Sequence, residues 1–302
     1  MTRLIDCIAI CCTTTLMGCS GVATGLVADA LSGSGTGYAS DNDPELIEIS
    51  APFGLKMMET VLAAKPEHRA LLTSLAAGYV QYAYGFISEK AHKVEEDDYE
   101  QSQKLKKRAQ NLYFRARDFG LRGLAVDYPN FEQRLRSDAK TTLAELNDDD
   151  VSLLYWTAAA WSLGISAGGL DPALVADLPL AGALAQRAIE LAEDWNDGAL
   201  HDFMVSYESA RPGGDLGAAK THFERAITLN GGRRAGSYLG YAEGVVYKQQ
   251  DVKLFRSLID KALAVDVDAH PDDRLVNVIM QRRARRLLAR IDDLFLDAED
   301  ED

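Results

Sequence analysis

Fifteen consecutive residues without a charge, 151–165, constrain this chain most, because charged side chains make up 26% of the whole. Leu154, Ala158, Trp161 and Ile165 fall at i, i+4, i+7 and i+11, which is one stripe of a helix. Trp156, Ala160 and Leu163 form a second stripe on another side. A helix that is apolar nearly all round is buried inside something. The acidic run Asp148-Asp149-Asp150 starts it, since carboxylates suit the positive end of a helix. Gly168-Gly169 stops it, and Asp171-Pro172 opens the next helix with Asp as cap and Pro in the first turn. The expectation is an all-α protein with this helix as its central wall.

Eight prolines in 302 residues, and few alternating β-branched runs, favour helix over sheet. The formal charge of -14 lacks the basic footprint of a nucleic-acid binder and disfavours docking of the body on anionic lipid. All four cysteines, Cys7, Cys11, Cys12 and Cys19, lie in the first nineteen residues. The body therefore has neither a disulfide framework nor a cysteine metal site.

Residues 1–18 read as a secretory signal: Arg3, then the apolar run 8–17, too short to span a bilayer. The run ends in Leu16-Met17-Gly18-Cys19, the order of a bacterial lipobox, in which Cys19 is lipidated and tethers a soluble body to a membrane. An ordinary signal with an incidental cysteine is the alternative. Residues 19–42 then form the linker of the lipid anchor. Within it SGSGTGY (32–38) has the glycines of a phosphate loop without the following Lys, and reads as flexible chain.

The helical domain spans residues 43–296. Asp43-Pro44 caps a first helix to about residue 64, and 68–92 is its partner. In that partner Tyr79, Tyr82 and Phe86 lie at i, i+3 and i+7; the stripe is either packing between helices or a ligand-facing wall. A long helix over 97–126 carries Leu105, Ala109, Leu112 and Ala116 as its core stripe, with its lysines and arginines as a solvated flank. A short amphipathic helix over 131–146 leads into the central one. The second half repeats itself: QRAIELA (186–192), ERAITLN (224–230) and DKALAVD (260–266). Ala188, Ala226 and Ala262 are 38 and 36 residues apart, close to the period of tetratricopeptide units, which bury their apolar faces only by stacking. The partner helices begin near Asp197, Arg233 and Asp272. The last helix, from Asp272 to about Phe295, reads as a cap whose five arginines (Arg282, Arg283, Arg285, Arg286 and Arg290) are charged flanks. Residues 297–302, DAEDED, are a disordered acidic tail.

Reactive chemistry is scarce. None of the five histidines has another at i+3 or i+4, no serine sits in a nucleophile elbow, and His201-Asp202 reads as a polar contact at a helix start. The expectation is no enzyme, no metal and no cofactor, because repeat scaffolds present surfaces more than reactive groups.

Several segments resemble one family: Pro44-Glu45-Leu46, APFGLK (51–56), GYVQYAY (78–84), RARDFGLRGL (115–124), LLYWTAAAW (153–161), RLVN (274–277) and RRAR (282–285). The chain resembles the T-component family of tripartite ATP-independent periplasmic (TRAP) transporters, the TatT-like lipoproteins. The resemblance implies a tetratricopeptide-like α-solenoid lipoprotein facing the periplasm and anchored at Cys19. It implies a non-enzymatic homo-oligomer, a trimer among the forms it could take, working beside the solute-binding subunit and holding a ligand-accessible pore or cavity. A wall partly built from Tyr79, Tyr82, Tyr155 and Trp156 would meet an apolar or amphipathic ligand or the partner subunit, since aromatics give large contact area at low entropy cost. The alternative is a general tetratricopeptide scaffold lipoprotein in envelope assembly.

Overall fold

The computed structural model describes Ala28 and residues 35–169 and 171–295. The signal peptide, Cys19 and the acidic tail lie outside the described residues. Among those residues every regular element is helical. After α1 (Gly35–Ala39), α2 (Pro44–Ala64) starts where Asp43 accepts from the Leu46 amide at 3.0 Å, with Pro44 in the first turn. Next, α3 (Arg69–Tyr82) runs through a π-helical stretch, Ala83–Ser88, into α4 (Glu89–Val94). The long α5 (Tyr99–Asp127) is capped by Asp98. The single helix expected over 131–146 is two, α6 (Phe131–Ser137) and α7 (Ala139–Ala144), because Asp138 accepts from the Thr141 amide at 3.1 Å and caps a new start.

The uncharged segment is α8 (Val151–Ala167). Its first turn is fixed by Asp150, 1% exposed, which accepts from the Tyr128 hydroxyl at 2.8 Å and the Asn147 amide at 2.9 Å and pairs with Arg69. The helix opened by Pro172 lasts one turn, α9 (Pro172–Val175), before α10 (Leu178–Leu191). Then follow α11 (Ala199–Ala210), α12 (Leu216–Asn230), α13 (Ala235–Tyr241), a second π-helical stretch, Ala242–Val246, and α14 (Tyr247–Gln249). The described chain closes with α15 (Val252–Leu263), α16 (Arg274–Ala289) and α17 (Ile291–Leu294).

The central helix is a wall, as its pattern demands: α3, α5 and α10 pack against it. It meets α5 closely because α5 is bare there. A Cβ on Gly120 would lie 2.1 Å from Thr157 Oγ1, and one on Gly123 would lie 2.7 Å from a Leu153 methyl. The two glycines of RARDFGLRGL therefore set the approach of the two helices. In the second half Ala188, Ala226 and Ala262 are all fully buried, and α11, α13 and α16 begin within two residues of the expected starts.

Successive helices lie side by side, and the last returns to the first: α16 packs on α1 and α2. The arginines of α16 are not merely solvated flanks. Arg274 donates to the Ser40 carbonyl at 2.9 Å, Arg282 pairs with Glu45, Arg290 pairs with Glu96, and both Arg283 and Arg286 donate to Glu89 at 2.7 Å. The partners lie in the first helical hairpin, out of reach of any local pattern.

Glu89 is the most enclosed of these carboxylates, 12% exposed at its side chain, whereas Glu45 is 67% exposed. Removing one partner of an enclosed pair strands the other charge, and exposed pairs contribute little. Glu89→Gln is expected to lower stability by about 2–4 kcal/mol in urea unfolding, while Glu45→Gln leaves the midpoint where it was. Equal responses would contradict this division.

Candidate functional site

Two π-helical stretches in one small protein are unusual, because π turns mostly occur singly and at functional places. Here both lead to one arginine. Glu243 lies within the second stretch, Tyr84 within the first, and Glu89 follows directly after it. Arg283 donates through Nε and Nη2 to Glu243 Oε1, at 3.2 and 2.9 Å, and through Nη1 to Glu89 Oε1 at 2.7 Å. Burial opposes its charge, but Tyr84, Glu243 and Glu89 outweigh burial and hold the guanidinium above its ordinary range. The fork of an arginine suits two carboxylates approaching from different helices.

Tyr84 sits beside this group. Burial pushes its phenol up, yet 36% of its surface is reached by solvent. The half-buried Tyr155 on α8 behaves alike: burial pushes its phenol up, and Asp202 adds to the rise. Tyr155 packs against Trp156 and Trp195, with ring centroids 4.8 and 4.9 Å apart. Asp202, on α11, accepts from Ser237 Oγ at 2.9 Å, and Arg234 lies near. Burial outweighs both and raises its carboxyl to about 6. An aromatic cluster around Tyr155 and a charged cluster around Arg283 thus lie on either side of Tyr84.

The four aromatics singled out from sequence do not form one surface. Tyr155 and Trp156 pack on each other. Tyr79 is 3% exposed, stacks on Phe119 at 6.0 Å and donates to Glu59 Oε1 at 2.5 Å, so it seals the seam of α2, α3 and α5. Burial, with Glu59 adding, raises its phenol to about 12. Tyr82, 7% exposed, packs on Phe86. Sequence reading missed Tyr84, Glu89, Trp195, Asp202, Glu243 and Arg283. One signal was available: Arg283 stands three residues after Met280 and four before Leu287, a charge inside an apolar stripe.

A second polar cluster joins α11 to α12. His201, in the first turn of α11, makes polar contacts as expected: its Nδ1 lies 2.8 Å from His222 Nδ1, and its Nε2 lies 3.2 Å from Glu193, which Arg225 grips with two hydrogen bonds of 2.8 and 2.7 Å. One of the two rings donates and the other accepts across this Nδ1–Nδ1 contact, as their tautomers set. Burial holds both imidazoles below their usual range. A hollow of about 550 Å³ on the exposed face of α15, lined by Lys253, Arg256 and Lys261 among others, has no part in either cluster.

The model of the TRAP transporter T-component family matches residues 40–295. The chain belongs to that family. It is also similar to an uncharacterized protein of Treponema pallidum (strain Nichols), 28% identical over 271 residues that cover 86% of this chain and 83% of that protein. Family membership gives the chain an accessory role in transport and a place at the bacterial envelope. No helix among the described residues is long and apolar enough to cross a membrane.

The carboxyl of Asp202 titrates higher in the folded chain than the 3.8 of a free aspartate. Its contribution is therefore fully present below about pH 4 and lost as pH rises through about 6. Asp202→Asn, which keeps an acceptor for Ser237, is expected to be more stable than the native chain at pH 7.5 by up to roughly 3 kcal/mol and equal to it near pH 4. The histidine pair has the opposite sign: its contribution is in place above the ordinary imidazole range and lost as pH falls below it. Urea unfolding of both proteins at the two pH values separates the effects, and a constant difference would refute the assignment of Asp202.

Proposed function

We propose that this chain is a non-catalytic accessory component of a TRAP transport system. Its tetratricopeptide-like hairpins wrap an internal cavity, and it binds the solute-binding subunit and an apolar or amphipathic ligand. Lipidation at Cys19 holds it at the envelope, facing the periplasm, as a homo-oligomer. The observation that carries the ligand part is Tyr84, a large aromatic open to solvent beside Arg283. A surface of that kind, with Tyr155 and Trp156 on one side and a neutralised arginine on the other, suits a ligand with apolar surface and few polar groups. Tyr79 and Tyr82 back the wall from the core side. The role assigned to the wall is binding, since its charged groups pair with each other and leave no nucleophile–base couple.

Tagged full-length protein drawn from detergent-solubilised membranes is expected to bring down a periplasmic solute-binding protein, read by mass spectrometry. Trp156→Ser should keep the helical content and lower ligand retention at least about tenfold, the scale of a lost aromatic anchor. Recovery of envelope-assembly factors without a solute-binding protein would replace this reading with that of a general scaffold lipoprotein.

A further inference from the structure

One enclosed charge beside the aromatic cluster has no counter-charge. Asp202, half-buried on α11, accepts from Ser237 Oγ with one oxygen. Its other oxygen accepts from no protein group among the described residues, and no cation there pairs with it. Arg234, whose charge reaches Asp202, is already engaged: it donates to Asp273 Oδ1 at 3.1 Å and to Asn196 Oδ1 at 2.9 Å. Arg233 shares Asp273 at 2.9 Å and pairs with Asp197. That cluster sets two arginines against two carboxylates. Around Arg283 the balance is the same, with Arg283 and Arg286 against Glu89 and Glu243. Beside these two neutral clusters Asp202 is one negative charge in excess.

An enclosed carboxylate without a cation is costly, which is why burial raises this one to about 6. An asparagine would keep Ser237 bonded without that cost. A costly unpaired charge points to a ligand that supplies the missing partner. The neighbours say what kind. The field of Asp202 reaches Tyr155, and Tyr155 is half-buried against Trp156 and Trp195, the ring planes tilted by 74° and 48°. Rings tilted so steeply do not cover one another's faces, and the face of a Trp or Tyr attracts a cation. A carboxylate beside such faces selects a positive group and disfavours an anion. We propose that Asp202, Tyr155, Trp156 and Trp195 receive the ammonium group of an amine with an apolar body, its N–H donating to Asp202 Oδ1. This rests on the reading of the aromatic cluster as a ligand surface and adds the charge of the ligand. A free alkylamine and the headgroup of an aminophospholipid both carry that group.

The test uses the full chain in a nonionic detergent at about pH 7.5. Hexylammonium, hexanol and hexanoate are the probes, and tryptophan fluorescence is the readout. Hexylammonium is expected to bind at least about tenfold tighter than hexanol, the scale of one charge-assisted hydrogen bond, and hexanoate more weakly than either. Asp202→Asn should hold hexanol as the native chain does and bind hexylammonium within about twofold of it. Stronger competition by dihexanoylphosphatidylethanolamine than by hexylammonium assigns the lipid headgroup, and the reverse assigns a free amine. Equal binding of hexylammonium and hexanol by the native chain, or a preference that survives in Asp202→Asn, would overturn the proposal and leave the ligand surface standing. Binding of none of the three hexyl probes would overturn the ligand surface as well.

Discussion

The last long helix is held to the first hairpin by Glu89, which receives two arginines from the far end of the chain. The carboxylate accepts from Arg283 and Arg286, 194 and 197 residues away, and Arg283 is held on its other side by Glu243. Taking charges out of water is expensive, and attraction offsets that cost only when each charge finds good partners. Two carboxylates and two guanidinium groups balance one another here. A stack of helices joined only to its neighbours would have two free ends; these contacts bring the ends together.

Much of the helical order was legible in the sequence, and the reasons are local. The uncharged run 151–165 demanded a buried helix, and α3, α5 and α10 cover it. Asp43 and Asp171, each followed by Pro, cap the helix starts their positions predict. The alanines 188, 226 and 262 marked positions where helices approach. Asp138 was a cap of the same kind but was read through, because an amphipathic pattern continued across it. The closing arginines were legible only as charges. A charge inside an apolar stripe, as at Arg283, signals an enclosed arginine, but no local pattern names a partner 194 residues away.

The candidate site was less legible, for a related reason. Tyr79, Tyr82, Tyr155 and Trp156 are aromatic residues at helical spacing, and that spacing serves a core and a cavity wall equally. Tyr79 turned inward because Glu59 and Phe119 meet it. Tyr155 stays half-buried between Trp156 and Trp195. The π-helical stretches, which carry Tyr84 and Glu243 and precede Glu89, have no known signature in a single sequence. Their rarity points to function only after the backbone has been traced.

The central claim is that the last long helix is fixed to the first hairpin by the charges around Glu89. After Cys19 the chain has no cysteine, so spin labels can be placed at will. Lys93→Cys on α4 and Arg285→Cys on α16, both exposed, report the distance across the closure. The account predicts one narrow distance distribution in the native background that broadens when Glu89 is changed to Gln. A broad distribution in the native background, or one that Glu89→Gln leaves untouched, would contradict it.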